Sequence, residues 1–377
     1  MVQKRLGICL IGTGFMGRAH SSAYRRISEF SQVDFEIGLQ SIVGLDATRR
    51  QDIQTRYGWM RGSRDWKAEI KSPHVDVVDI ATPTGLHADI AVAAATAGKH
   101  VLCEKPLGIT LAEGEQMLAA AVAANVRHAV AFNYRFVPAI QLARRLVREG
   151  RIGRIYHFRA RYLQDWLASP DAPMSWRLDK RSAGSGVHGD LNSHLIDLAH
   201  FLVGPIDEVV GDARTVVAER RWPADGKTAE VTVDDETSFL ARFRDGATAT
   251  FEASRTATGS KNRNQIEIEG SAGAIRFDLE RLNELEFYST DDPPGLRGFR
   301  TIPVTEPEHP FLAHWWPPGH VLGWEHAHVH LIASFLHDIA SGESTAPTFA
   351  DGVACQRVLE AVERSVAEQR WQATERP

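Results

Sequence analysis

Two architectures in succession are expected of this chain. The first is α/β, a doubly wound parallel sheet; the second is α+β with a large, mostly antiparallel open sheet. Three observations predict them. A glycine-rich turn, Gly12-Thr13-Gly14-Phe15-Met16-Gly17, breaks a buried strand and opens a helix. Strands and helices then alternate through the first third of the chain. Beyond about residue 150 the pattern changes to period-two runs separated by turns, the punctuation of an antiparallel sheet.

In the first half, residues 6–11 read as a strand and 18–27 as the helix after the glycine turn. A second strand at 41–45 leads into a polar helix at 47–57, which Gly58 ends. The strand 75–81 closes on Thr82-Pro83, and the helix 87–97 is capped by Gly98. A strand at 100–103, a helix at 111–124 and a strand at 126–132 follow. In the second half, 155–164, 237–243, 248–253, 265–269 and 274–278 alternate apolar and polar residues, with turns such as Asp245-Gly246 and Gly270-Ser271 between later runs. A helix at 190–203 ends at Gly204-Pro205, and helices at 326–341 and 351–369 close the chain. The expected division is 1–132 and 133–377, with a C-terminal helix packing back on the first part.

The 377 residues suffice for two ordinary domains. With 43% hydrophobic and 24% charged residues the composition is that of a soluble globular protein, which excludes disorder, collagen and coiled coil. Lys+Arg 43 against Asp+Glu 48 leaves a net charge of −5, so neither a nucleic-acid nor a membrane partner is expected. Three scattered cysteines, Cys9, Cys103 and Cys355, offer neither a disulfide framework nor a CxxC metal site. The N-terminus lacks the apolar core of a signal peptide, and no apolar run approaches a membrane span, so a cytoplasmic location is expected.

The glycine turn carries the first chemistry. Gly12 permits a tight turn, Gly14 leaves room for a pyrophosphate and Gly17 lets helix and strand approach, while the helix N-terminus offers N–H groups to phosphate. An acid on the adenosine ribose belongs at the end of the second strand. Asp34 has the usual spacing without a clean strand; Asp46 ends the convincing strand and favours NAD. Arg49 and Arg50 are placed to meet the 2′-phosphate of NADP instead. Glu104-Lys105-Pro106, just past a buried strand, sets a lysine beside a proline-fixed turn, as suits a group that binds a hydroxyl and assists its deprotonation.

With Ala81-Thr82-Pro83, His87 and the run from Ala97 to Leu107, the chain resembles the glucose–fructose oxidoreductase/inositol dehydrogenase (Gfo/Idh/MocA) family. The likeness continues through Trp176-Arg177, Ala183-Gly184-Ser185-Gly186 and the stretch from Gly189 to Asp197. Tyr162-Leu163-Gln164-Asp165-Trp166, Gly298-Phe299-Arg300 and Phe349-Ala350-Asp351-Gly352 are most similar to its levoglucosan dehydrogenase branch. The resemblance implies a Rossmann domain before a substrate-binding and oligomerisation domain, and NAD- or NADP-dependent transfer of hydride at a secondary alcohol of a sugar, anhydrosugar or cyclitol.

It further implies that Lys105, Asp190 and His194 are catalytic. Independently, Asp190 and His194 are i and i+4 on the helix expected to start near Asp190, and an imidazole exchanges protons near neutral pH. By the resemblance Phe15, Met16, Thr82, Pro83, His87, Glu104 and Asn133 line the cofactor, as do Trp176 and Arg177, which could alternatively touch the sugar. Tyr162, Gln164 and Trp166 are candidates for sugar contacts. His188 departs from the family pattern and either contacts substrate or cofactor or faces solvent. His326 and His330 share a helix face without a third metal ligand, so no metal is expected. The intact catalytic set argues against the alternative, a silent cofactor-binding regulatory protein. Homodimers or tetramers are expected, because Phe239, Phe251, Phe277 and Phe287 would otherwise leave an open sheet face apolar in water.

Overall fold

A computed structural model describes residues 5–30 and 35–374 of the chain. The described residues up to Asn133, together with Trp324–Ala354, form one compact unit; Tyr134–Gly323 with the described residues from Cys355 onward form another. Where the sequence suggests a single boundary at 132/133, it is the stretch Trp324–Ala354 that joins the first unit.

The first unit holds β1 (Arg5–Ile11), α1 (Phe15–Phe30), β2 (Glu36–Val43), α2 (Ala47–Tyr57), β3 (Arg61–Ser63), α3 (Trp66–Ile70), β4 (Val77–Ile80), α4 (His87–Thr96), β5 (His100–Cys103), α5 (Leu111–Ala123) and β6 (His128–Val130). All six strands are parallel, in the order β3-β2-β1-β4-β5-β6. This is the doubly wound sheet expected, and its strand order reverses between β1 and β4. Ligands in such sheets bind outside the carboxyl ends of the strands at that point. Central strands are buried on both faces, so they read as continuous apolar runs. β4 is buried throughout, and Asp79 is its one charged residue. A charge there must have partners. β2 begins five residues earlier than expected, because Gly38 and Gln40 disguise the strand that pairs with β1 from Glu36 onward. Asp46 caps α2 by accepting the Arg49 N–H, and Gly58 ends that helix at φ 75°.

The second unit contains α6 (Pro138–Arg148), β7 (Ile155–Leu163), α7 (Lys180–Ala183), α8 (Ser193–Leu202), β8 (Ile206–Arg214) and the short hairpin β9 (Glu219–Arg221) with β10 (Thr228–Glu230). Then come β11 (Glu236–Phe243), β12 (Thr248–Ser254), β13 (Arg263–Gly270), β14 (Gly273–Asp278), β15 (Glu284–Ser289), β16 (Arg300–Pro303) and β17 (Gln372–Ala373). The large sheet runs β16-β15-β14-β13-β7-β12-β11-β8-β17. Only β7 and β12 pair in parallel; the other neighbours are antiparallel.

The register sets the four phenylalanines on one buried face instead of leaving an open face apolar. Phe239 lies opposite Phe251 across β11 and β12, so both rings share one face. Phe239, Phe251, Phe277 and Phe287 are all buried. The opposite face carries Arg159, Arg161, Arg242, Glu252, Glu267 and Arg276, with ion pairs Arg159–Glu269 at 2.7 Å and Arg242–Glu208 at 2.7 Å. That face is largely charged, with Leu240 as its exposed large apolar side chain at 48%, so the four phenylalanines themselves give no reason for pairing with a second copy.

The helix expected at 190–203 also differs. It opens with one π turn, His188–Asn192, and continues as α8. All three cysteines are buried thiols, and burial pushes Cys9 up to about 12. No helix among the described residues is long and apolar enough to cross a membrane.

Candidate functional site

The three glycines of the first turn have three different reasons. Gly12 sits at φ 132°, and a Cβ there would lie 2.2 Å from the Ala81 carbonyl oxygen. A Cβ on Gly17 would lie 2.1 Å from the Gly12 carbonyl oxygen. Both are fixed by backbone packing. A Cβ on Gly14 would meet nothing within 4 Å, so that side of the turn opens onto space beside the N-terminus of α1. Helix N-termini carry unsatisfied N–H groups and a partial positive charge. Together these residues fit the pyrophosphate of a dinucleotide.

A substitution separates the two kinds of glycine. Gly14→Ala is expected to keep the melting temperature within about 2 °C while weakening NADH binding at least tenfold, read by fluorescence titration. Gly17→Ala should lower both, because its clash is with backbone. Unchanged NADH affinity in Gly14→Ala would sink this reading of the turn.

Phe15 is 56% exposed and its ring stacks on Trp324 with centroids 5.3 Å apart. Met16 follows in the first turn of α1. Asp46 stands just past the carboxyl end of β2, its side chain half exposed and 3.4 Å from Arg49 Nε. Arg50 instead donates to the Gly44 carbonyl. Asp34 lies outside the described residues.

Thr82, Pro83, Glu104 and Lys105 follow the carboxyl ends of β4 and β5, at the edge where such sheets bind ligands. His87, expected along the cofactor, is buried and braces this edge: Nδ1 is 3.1 Å from the Pro106 carbonyl and Nε2 3.1 Å from that of Thr82. Burial holds its imidazole below the usual histidine range despite those carbonyls.

Beneath the edge lies a charged cluster that no local pattern announces. His20 of α1 places Nδ1 2.9 Å from both Asp79 oxygens and Nε2 3.0 Å from Glu104 Oε1. All three residues are buried. Burial alone would push the His20 imidazolium down, but the two carboxylates outweigh it and its pKa stands at about 10. Glu104 is lowered, since the His20 cation outweighs the effect of burial. Its other oxygen, Oε2, accepts the Lys105 backbone N–H at 3.2 Å. Asn133 is buried and its Nδ2 lies 3.2 Å from His328 Nε2. Burial, reinforced by the neighbouring His20 charge, takes His328 down to about 3.

The second unit builds its own constellation around the π turn. Asp234 accepts the N–H groups of Gly186 at 2.6 Å and His188 at 2.8 Å, and the Thr237 hydroxyl at 2.8 Å. It thereby anchors the entry to the helix. A π turn seats one more residue than an α turn, a feature found often at functional sites. Asp190 sits in that turn and accepts from Arg255 Nη2 at 2.9 Å. Arg255 is 1% exposed and its guanidinium lies 5.4 Å from the centroid of the Trp166 ring.

His194 is buried near the start of α8, its ring 4.5 Å from that of Tyr134 and 6.0 Å from that of Tyr162. A hydrogen-bonded chain continues from there. The Tyr134 and Tyr162 hydroxyls are 2.7 Å apart, Tyr162 donates to Asn262 Oδ1 at 2.7 Å, and Gln164 Nε2 donates to the same oxygen at 2.9 Å. Trp166 Nε1 then donates to Gln164 Oε1 at 2.9 Å.

Tyr162, Gln164 and Trp166 thus lie in one hydrogen-bonded chain, with Tyr134 and Asn262 added by the fold and Arg255 packed against Trp166. Trp176 and Arg177 form a stacked pair of their own, guanidinium to ring centroid 4.4 Å. His188 does not face solvent. It is 2% exposed, with Nε2 2.9 Å from the Leu359 carbonyl and Nδ1 3.2 Å from Asn192 Nδ2. Among the described residues no three His, Cys, Asp or Glu side chains converge as a metal site, and His326 and His330 are buried in their helix.

Comparison with known proteins agrees with this fold. Residues 6–132 match a model described as an oxidoreductase family with an NAD-binding Rossmann fold, and residues 140–276 match the GFO/IDH/MocA C-terminal domain. The chain is 40% identical, over 98% of both chains, to levoglucosan dehydrogenase of Pseudarthrobacter phenanthrenivorans. It is similar to the crystal structure of an oxidoreductase domain protein from Kribbella flavida (TM-score 0.96, 48% identity, 99% of this chain and 100% of that one). It is also similar to levoglucosan dehydrogenase in complex with NADH and levoglucosan (TM-score 0.95, 40% identity, 99% and 100% covered).

Proposed function

Because this chain belongs to the GFO/IDH/MocA family of oxidoreductases and carries its NAD-binding Rossmann domain, we propose that it oxidises a secondary hydroxyl of a carbohydrate, an anhydrosugar such as levoglucosan before others. The observation that carries the reading is the second unit's arrangement of Asp190 and His194 beside the chain Tyr134–Tyr162–Asn262–Gln164–Trp166. That chain ends in a half-exposed indole, which suits the C–H face of a sugar ring, while amide and phenol groups suit its hydroxyls. An anhydro bridge holds a pyranose in one shape and enlarges its apolar face.

Bound NAD supplies the hydride-accepting nicotinamide. His194 takes the hydroxyl proton. Lys105, by the motif match, bonds the same oxygen through its ammonium and stabilises the negative charge that grows there. Asp190 orients the hydroxyl, its own carboxylate steadied by the buried Arg255. By the family resemblance, Thr82, Pro83, Glu104 and Asn133 would hold the nicotinamide end of the cofactor. The test is a screen at 340 nm of monosaccharides, anhydrosugars, glycosides and inositols with each cofactor. Levoglucosan is expected among the best substrates. No turnover with any of them, despite NADH binding, would overturn the proposal.

Cofactor choice is checked in the same assay. Asp46 caps α2 and presents a half-exposed carboxylate where an adenosine ribose would be read. Asp46→Ala is expected to weaken NAD about tenfold and to relax the preference over NADP, measured as the ratio of kcat/KM values. A wild-type preference for NADP would move the assignment to Arg49 and Arg50.

A further inference from the structure

His20 is a residue that the mechanism above does not use, yet three buried charges meet on it. It belongs to α1, one turn beyond the glycine loop; Asp79 belongs to β4, and Glu104 follows β5. The side chains of His20 and Asp79 are fully buried and that of Glu104 nearly so. Burying charges in this way is costly, and well-packed apolar residues of similar volume often serve stability as well or better. Stability alone is therefore a weak reason for two carboxylates and an imidazolium at this place.

The geometry supplies a better reason. Glu104 has two oxygens and two tasks: Oε1 faces His20 at 3.0 Å, and Oε2 receives the Lys105 N–H at 3.2 Å. Its rotamer is thus set from one side by His20 and sets, from the other, the backbone of the residue that carries the ammonium. His20 in turn is held by both Asp79 oxygens at 2.9 Å. Each link lies within the first unit.

We propose that His20 is a positioning residue for the Lys105 turn: donating to both Asp79 and Glu104, it fixes the carboxylate that holds the Lys105 backbone, and so ties that turn to the helix that follows the glycine loop. The proposal rests on the reading that Lys105 acts on the substrate oxygen. Its structural half, however, can be measured without any substrate.

Three full-length variants test it: His20→Gln, Asp79→Asn with His20→Gln, and Glu104→Gln. The first leaves two uncompensated carboxylates and should lower both melting temperature and kcat, the latter at least tenfold. The double variant removes one of those charges. Its melting temperature should recover toward the wild type, whereas kcat stays at least tenfold low and amide exchange at the turn after β5 stays faster than in wild type. Glu104→Gln keeps the His20–Asp79 pair and should fold even if His20→Gln does not. A glutamine has one acceptor oxygen in place of two, so the Lys105 N–H should exchange faster there too.

Recovery of kcat and of amide protection together with melting temperature in the double variant would reduce the cluster to charge balance and overturn the proposal. Wild-type exchange in Glu104→Gln would do the same. If the wild-type protein turns over no carbohydrate while the exchange differences appear, the functional reading fails and the positioning role stands.

Discussion

Lys105→Ala is expected to lower kcat by about 10²–10⁴-fold, the range that a positioned proton-transfer or charge-stabilising group commonly supplies. The effect should fall on kcat and on kcat/KM alike, because the ammonium acts on charge that develops in the transition state and is weak in the ground state. NADH affinity should change no more than about threefold, since the open glycine turn and the end of β2 are untouched. Lys105→Arg discriminates further. It keeps the charge but spreads it over a planar fork on a longer stem, so it should restore only a small part of the loss. Steady-state kinetics, with NADH fluorescence titration of the same preparations, decide the matter. Near wild-type turnover in Lys105→Ala would remove the lysine from the mechanism and leave Asp190 and His194 to carry it alone.

What could be read in the sequence was what lies close along the chain. The glycines of the turn are within six residues, Glu104-Lys105-Pro106 is contiguous, and Asp190 and His194 are four apart. Each motif also lies at an element boundary that periodicity can find. What could not be read were the partners. His20 meets Asp79 across 59 positions and Glu104 across 84, Asn133 meets His328 across 195, and Arg255 meets Asp190 across 65. No local pattern fixes such pairs; only the order of strands in the finished sheet does. One signal was present for Asp79: a charged residue inside an otherwise wholly apolar strand must meet an opposite charge or a donor.

The errors have a similar origin. Period-two alternation shows that a strand has two faces, but it does not show which face the helices cover. Alternation alone lets the four phenylalanines divide between the faces, whereas the register from β11 through β12, β7, β13 and β14 to β15 puts them all on one buried face. His188 is buried for a reason that residue type does not reveal. By residue type, a histidine two residues before Asp190 admits either a ligand contact or a place in solvent. The π turn instead rotates it into the core against Phe239 and the Leu359 carbonyl.

His194→Ala should produce a loss of kcat comparable to that of Lys105→Ala, about 10²–10⁴-fold, by a different route. The imidazole is buried beside Tyr134 and Tyr162, so its removal opens a space one ring in size next to the hydrogen-bonded chain. Two consequences separate a proton acceptor from a packing residue. Oxidation requires the acceptor unprotonated, so wild-type kcat/KM should rise with pH, and that rise should vanish in His194→Ala. Added imidazole should enter the vacated space and recover part of the turnover, increasingly so as pH rises and more of it is neutral. Simple loss of packing predicts neither effect: the pH profile would keep its shape at a lower level, and imidazole would change nothing. Tyr162→Phe supplies the complementary measurement. It leaves the rings in place but cuts the bonds from the Tyr162 hydroxyl to Asn262 and Tyr134, so it should raise KM for the carbohydrate several-fold while the pH limb of His194 persists. A limb that disappears in Tyr162→Phe and survives in His194→Ala would transfer the proton-accepting role from the histidine to the tyrosine chain.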